Sequence, residues 1–256
     1  VVGVLVAFSG GEASLGALGL LLAWELFAAT DGVRDRVRGL VPVGVLSLSY
    51  IAVYRSTGAG AFGSATYVDP VSSPLAFLSA APERLLALLG GLVFGIPVDA
   101  WMGGAAARLA YSVVGVLALV LVAWAHVRVR ARLEAPERRG LDWLVGGAVL
   151  SLVPVLATFP AGRLLLVPSI GGAAFVAVLL RELWSHPTSN RRWAARGLVF
   201  AHVVVSLVAW PVSHAVGHAV TASTERTAFG SPLTDAEWEG RVVMPAAPDF
   251  SAMMLP

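Results

Sequence analysis

The sequence predicts an all-α protein, a polytopic bundle of transmembrane helices. Hydrophobic residues make up 57% of the chain and charged residues 13%, and the mean hydropathy is +0.78. A soluble domain is about half apolar and about a quarter charged. Several apolar runs also approach the ~17–25 residues that a helix needs to cross a bilayer. Together these observations indicate a chain embedded in a membrane.

Six apolar runs are predicted to cross the bilayer, after a first stretch, Val1–Phe8, that is typical of the last turns of a helix. Short polar or arginine-rich segments separate the runs, as in a multi-pass protein. The six runs are Ala13–Thr30, Gly39–Tyr54, Ala105–Ala125, Trp143–Phe159, Leu164–Leu180 and Gly197–Val216.

The stretch Pro74–Pro97 is apolar but interrupted. Pro82, Glu83 and Arg84 split it, and the remaining run, Leu85–Ile96, is too short to cross alone. We therefore expect a re-entrant or interfacial helix pair that stays on the outer side. Irregular backbone at membrane depth has to be buried in protein or line a cavity.

Arginine placement predicts the orientation of the helices. Segments 31–38, 127–142 and 181–196 hold 12 of the 18 arginines, and all basic residues are arginine. Short arginine-rich loops lie on the cytoplasmic side of membrane proteins. If Pro74–Pro97 does not cross, all three segments fall on that side. The opposite, non-cytoplasmic side then carries 9–12, 56–105, 160–163 and the C-terminal tail.

We divide the chain into a transmembrane helical domain, residues 1–216, and a partial extramembrane tail, residues 217–256. The chain begins inside an apolar run and ends without a closing helix or strand. We therefore expect a fragment that lacks N-terminal helices and that leads into an outer domain. The tail is polar from Thr221 and holds one strand-like run, Arg241–Met244. We expect an integral protein of a bacterial inner membrane, with the outer loops and the tail non-cytoplasmic.

The composition excludes several kinds of function. The chain has no cysteine, which excludes disulfides and thiolate metal sites. Its formal net charge of +2 is too small to suggest nucleic-acid binding. We expect no cofactor, and we expect membrane lipid as the partner.

Arg163 is a single charge between two membrane-length runs, after Phe159–Pro160 and before Leu164. Such a charge usually faces a protein interior or a water-filled site. Its planar guanidinium donates two parallel hydrogen bonds, which suits a phosphate. The alternative is an interfacial arginine that reaches water from a tight turn. Both interpretations stay open.

Three further residues on the outer side are candidates for substrate binding. Glu12 begins a span, where it is either a functional carboxylate or a charge favoured by the helix dipole. Tyr67 and Asp69 belong to a loop that either contacts substrate or simply forms a turn, since Asp69 precedes a proline. The sequence identifies no catalytic residue.

His214 and His218 lie four residues apart and therefore share one face of a helix. With a third ligand they would hold a metal or, as a weaker alternative, haem. No flanking ligand motif accompanies them, so we predict no metal site and keep the pair as candidates.

Two short stretches resemble the multispanning glycosyltransferases of the GT-C type, especially O-mannosyltransferase-like proteins that carry TPR repeats. One is Leu5–Leu26, in which a helix end, a polar turn with Glu12 and a long apolar helix follow in the family's order. The other is Ala161–Gly172, in which an arginine precedes an apolar run and a Pro-Ser-Ile-Gly turn. The resemblance covers Val1–Leu180.

The resemblance implies a polyprenyl-phosphate sugar donor, bound near Arg163 at the non-cytoplasmic face. The chain departs from the family at Gly162, where the family has an acidic residue, and at Gly11, where it has lysine. The luminal loop with the family's catalytic carboxylate would lie before Val1. The chain is thus either part of an active transferase or a degenerate relative. The alternatives are a non-enzymatic anchor for an outer domain and a histidine-based metal or haem protein.

Overall fold

A computed structural model describes residues 2–9, 12–56, 67–185 and 188–229 of the chain. Within these ranges the secondary structure is helical throughout and contains no strand, which confirms the all-α prediction. The described residues up to His202 form one compact unit, and those from Val203 onward belong to a second. The α-helices are α1 (Val2–Ser9), α2 (Gly16–Ala23), α3 (Val33–Ser56), α4 (Pro74–Phe94), α5 (Ala105–Arg130), α6 (Ala135–Leu152), α7 (Pro168–Ser185), α8 (Ser189–Val199) and α9 (Ser206–Phe229).

Short turns of other helical types continue or connect these helices. Two π-helical turns, Trp24–Ala28 and Phe200–Val205, extend α2 and α8. Four 3₁₀ turns are formed by Glu12–Leu15, Val98–Gly103, Pro154–Ala157 and Gly162–Leu165.

Within the described ranges, five helices are long and apolar enough to cross a membrane. They are Val33–Ser56, Pro74–Phe94, Ala105–Arg130, Ala135–Ala157 and Ser189–Val212. Large apolar side chains point outward along them, as Leu109, Val113 and Leu117 do on α5. An apolar exterior of this extent is what a lipid environment accommodates. The chain is compatible with an integral multi-pass membrane protein.

Helices α2, α6 and α7 pack closely because glycines face their neighbours. A Cβ added at Gly19 would overlap the Ser151 backbone nitrogen, and one added at Gly171 would overlap the Leu144 carbonyl oxygen. Small residues let helix backbones approach in this way inside membranes. Trp143 Nε1 also donates to the Leu20 carbonyl oxygen at 3.0 Å, which fixes α2 on α6.

The expected helix pair in Pro74–Pro97 is wrong, because the structure has one continuous helix, α4, of 21 residues. Pro82 lies inside α4 without breaking it. Proline leaves one backbone carbonyl without its helical partner, and neighbouring elements in a bundle satisfy such groups. The helix ends at Gly95, which adopts a left-handed conformation with a φ of 66°.

Both flanks of α4 return to the same place, the connection between α6 and α7 (residues 153–167). Before α4, the Val68 N–H donates to the Ala157 carbonyl oxygen at 2.7 Å. After α4, the Gly162 N–H donates to Asp99 Oδ2 at 3.1 Å. The segments before and after α4 are therefore both tied to this connection.

Two of the arginine-rich segments, 127–142 and 181–196, meet at the opposite end of α6, and we call this the arginine-rich end. Trp24 meets Trp143 edge to face, with ring centroids 4.8 Å apart. Arg132 forms an ion pair with Glu182, and Arg181 Nη1 lies 3.1 Å from Glu137 Oε1. Many of these arginines lie within helices rather than in loops, since α5 continues to Arg130 and α8 begins at Ser189.

The second unit is described only through α9, which runs to Phe229. Helix α9 continues past Val216, the predicted end of the last span, so the described part of the predicted tail, 217–229, is helical. The strand-like run Arg241–Met244 lies outside the described residues.

Candidate functional site

Three prolines shape the α6–α7 connection. Pro154 begins a 3₁₀ turn directly after α6, Pro160 follows in extended chain, and Pro168 begins α7. Proline disfavours helical backbone in the residue before it, so the chain folds into two short turns instead of one long helix. Leu156 and Leu164 are buried and hold these turns against the bundle.

The connection receives hydrogen bonds from other parts of the chain. Arg84 on α4 donates from Nη1 to the Leu156 carbonyl oxygen at 2.8 Å. Asp99, in the 3₁₀ turn after α4, accepts from the Gly162 N–H. Proline-rich backbone leaves carbonyls and amides without helical partners, and these side chains supply them.

Arg163 is exposed at the end of this connection. Its guanidinium carbon lies 5.8 Å from the centre of the Phe159 ring, which is within reach of a cation–π contact. Among the described residues Arg163 forms no ion pair. The Arg163 guanidinium is thus exposed and lies beside the Phe159 ring.

The Asp69 carboxylate has partners within the protein. It forms an ion pair with Arg55 at the end of α3, and its Oδ1 accepts from the Val71 N–H at 2.8 Å. Burial raises the pKa of the Asp69 carboxyl, but hydrogen bonds from Val71, Ser72 and Arg55 outweigh burial and bring the pKa below its ordinary value. Asp69 therefore holds its own turn together.

Glu12 and Tyr67 lie near the same connection. The turn Glu12–Leu15 packs against Pro154–Ala157, although the Glu12 side chain is outside the described part of the chain. Tyr67 is half-buried and directly precedes Val68, whose N–H is bound to Ala157. The four substrate-binding candidates are thus brought to one end of the bundle, from three separate parts of the sequence.

His214 and His218 lie on α9 in the second unit. Both are exposed, and their ring centroids are 5.4 Å apart in an edge-to-face arrangement. Across the described residues, no group of three metal-ligating side chains is found.

Sequence reasoning missed two features. The first is Arg84, which is 7% exposed and anchors α4 to the connection. Its signal in the sequence is a charge inside an apolar run, a costly placement that is usually functional or structural.

The second feature is a cavity of about 450 Å³ at the arginine-rich end, between α5, α7 and α8. The sequence favours a site at the opposite end instead. No local motif marks this cavity, because its lining comes from three helices. No protein-family model, curated protein or solved structure matches the chain. A function for either end of the bundle is therefore argued from the residues found there.

Proposed function

We propose that this chain is the membrane-embedded part of a GT-C-like glycosyltransferase and that Arg163 binds the phosphate of a polyprenyl-phosphate sugar. The observation that carries the proposal is the exposed Arg163 guanidinium at a connection between apolar helices, without an ion pair among the described residues. A guanidinium matches a phosphate with two parallel hydrogen bonds, and such charge-assisted bonds are the strong ones.

The surroundings of Arg163 suit a lipid-linked phosphate. Leu166 is 77% exposed and Ile170 is 54% exposed, at positions three and seven residues after Arg163. A polyprenyl chain would lie along these apolar side chains while its phosphate meets the arginine.

The described carboxylates near the connection do not compete for Arg163. Asp69 is paired with Arg55, and Asp99 accepts from the Gly162 N–H. In this proposal the partner of Arg163 is therefore an external anion. The resemblance of Ala161–Gly172 to the GT-C segment supports the same assignment of the ligand.

The test is binding of a polyprenyl-phosphate analogue to detergent-purified protein. We expect Arg163→Ala to weaken binding by about tenfold, in the range of a lost charge-assisted hydrogen bond. The affinity of Arg163→Lys should fall between those of wild type and Arg163→Ala, because lysine keeps the charge but lacks the planar guanidinium. The matched control is Arg108→Ala, another exposed arginine, whose guanidinium carbon lies 4.3 Å from the centre of the Trp101 ring. Equal affinity in all four proteins would contradict the proposal.

A second function, a non-enzymatic membrane anchor, is favoured by one observation. The described carboxylates near the connection, Asp69 and Asp99, have structural partners, so we expect neither to act as a general base. If the chain is a non-enzymatic anchor, wild-type protein should not bind the polyprenyl-phosphate analogue. The same binding experiment therefore separates the two functions.

A further inference from the structure

Most of the residues that line the cavity at the arginine-rich end are apolar. Its volume of about 450 Å³ falls in the ~300–1,000 Å³ range of ligand pockets. The apolar lining comes from one stripe on each of α5, α7 and α8 and from the end of α4. These residues include Phe94, Leu121, Trp124, Ala125, Leu179 and Leu198.

Three arginines line the cavity where α5 ends and α8 begins. Arg128 and Arg132 lie one and two turns beyond Trp124, at and just after the end of α5, and Arg191 lies in the first turn of α8. Glu182 is the one acidic residue among the described lining side chains, and it pairs with Arg132. The lining residues of α5 run from Leu121 to Val129, which is ~12 Å at 1.5 Å per residue.

We propose that this cavity binds an anionic phospholipid, with an acyl chain between α5, α7 and α8 and the headgroup phosphate at Arg128, Arg132 and Arg191. The apolar residues that line the cavity match a hydrocarbon chain and do not suit a free soluble anion. The three arginines against a single glutamate match a negative headgroup rather than a zwitterionic one.

Tryptophan and arginine together indicate where the headgroup lies. The Arg128 guanidinium carbon is 5.5 Å from the centre of the Trp124 ring, and Trp184 and Trp193 are exposed at the same end. Tryptophan concentrates at the level of lipid headgroups, and juxtamembrane arginines attract anionic lipids. We therefore infer that the arginine-lined part of the cavity lies at the depth of the lipid headgroups.

Gly197 offers a sharp test because it lines the cavity and a Cβ added there would meet no atom within 4 Å. Gly197→Leu would add an apolar side chain at the wall of the cavity, where its Cβ meets no other atom. The matched control is Gly140→Leu, where an added Cβ likewise meets nothing within 4 Å but where the residue does not line the cavity. Both replace a helical glycine, so both should fold at least as well as wild type.

The experiment is native mass spectrometry of the full chain, titrated with phosphatidylglycerol or with phosphatidylcholine of the same acyl chains. We expect phosphatidylglycerol to bind at least about fivefold more tightly, and Arg191→Gln to weaken it about fivefold, the effect of one cation near an anionic lipid. Gly197→Leu should reduce binding of phosphatidylglycerol by about tenfold, equivalent to about 1.4 kcal/mol. Gly140→Leu should leave it unchanged.

Other results would overturn the proposal. Equal binding of the two lipids would show no headgroup recognition, and unchanged binding in Gly197→Leu would place the lipid elsewhere. Displacement of phosphatidylglycerol by millimolar inorganic phosphate would indicate a site for a free anion. Arg163→Ala should not alter phosphatidylglycerol binding, so this test is independent of the proposed polyprenyl-phosphate site.

Discussion

Arg84 Nη1 donates to the Leu156 carbonyl oxygen at 2.8 Å, and this bond ties α4 to the α6–α7 connection across 72 residues of sequence. The arginine is buried, and Leu156 belongs to a 3₁₀ turn, where carbonyls lack the regular partners of a continuous helix. The bond explains how a charge in the middle of an apolar helix is accommodated. It also places α4 against the connection that carries Arg163.

We predict that Arg84→Ala destabilises the protein by at least about 2 kcal/mol, the cost of losing a charged hydrogen bond and leaving a buried carbonyl unsatisfied. Arg163→Ala, at an exposed position, should cost less than about 0.5 kcal/mol. Thermal unfolding in detergent measures both. Similar midpoints for the two variants would mean that the Arg84 bond contributes little.

The tethered flanks of α4 predict that Ser73 and Ala100 lie on the same side of the membrane. Both residues are exposed, and single cysteines label cleanly because the chain has no native cysteine. We expect Ser73→Cys and Ala100→Cys to react with an impermeant maleimide added outside cells. Ser185→Cys, at the arginine-rich end, should react only after permeabilisation.

Labelling of Ser73→Cys and Ala100→Cys from opposite sides would show that α4 crosses the bilayer. External labelling of Ser185→Cys alone would show that the orientation is reversed.

Close helix packing predicts a strong position dependence for glycine substitutions. Gly171→Ala should destabilise the protein by about 1–3 kcal/mol, because its Cβ would overlap the Leu144 carbonyl oxygen. Gly44→Ala on α3, where nothing lies within 4 Å, should stabilise by up to about 1 kcal/mol through helix propensity. Unfolding midpoints in the same detergent compare them. A neutral Gly171→Ala would contradict the close approach of α6 and α7.

The lowered pKa of Asp69 predicts a pH-dependent contribution to stability. The carboxyl has a lower pKa in the folded state, so its contribution is present above the ordinary pKa of about 3.9 and is lost as the pH falls through the folded pKa. Because Arg55 is 44% exposed, the ion pair should be worth less than about 1 kcal/mol.

Asp69→Asn should therefore lower the unfolding midpoint slightly at pH 7, and the difference from wild type should shrink as the pH falls toward about 3. The Asn side chain can still accept from the Val71 N–H, so the comparison measures the effect of the negative charge. A difference between wild type and Asp69→Asn that does not change over this pH range would rule out the ionic contribution.

The sequence alone determined the helical class and the grouping of charges. Apolar runs of membrane length dictate helices, because backbone groups in lipid have to be paired within their own segment. The arginine-rich segments predict a shared side, and the structure joins two of them, 127–142 and 181–196, through pairs such as Arg132–Glu182. These properties depend on local composition, which a single sequence displays directly.

Only the tertiary structure decided that Pro74–Pro97 contains one continuous helix and that a cavity lies between α5, α7 and α8. Pro82 and Arg84 look like a break when the segment is considered alone. In the bundle, Leu156 accepts from Arg84, and Gly115 lets α4 lie directly on α5 at Leu86. Contacts between residues far apart in sequence satisfy the polar groups and fill the space, and no local pattern encodes them.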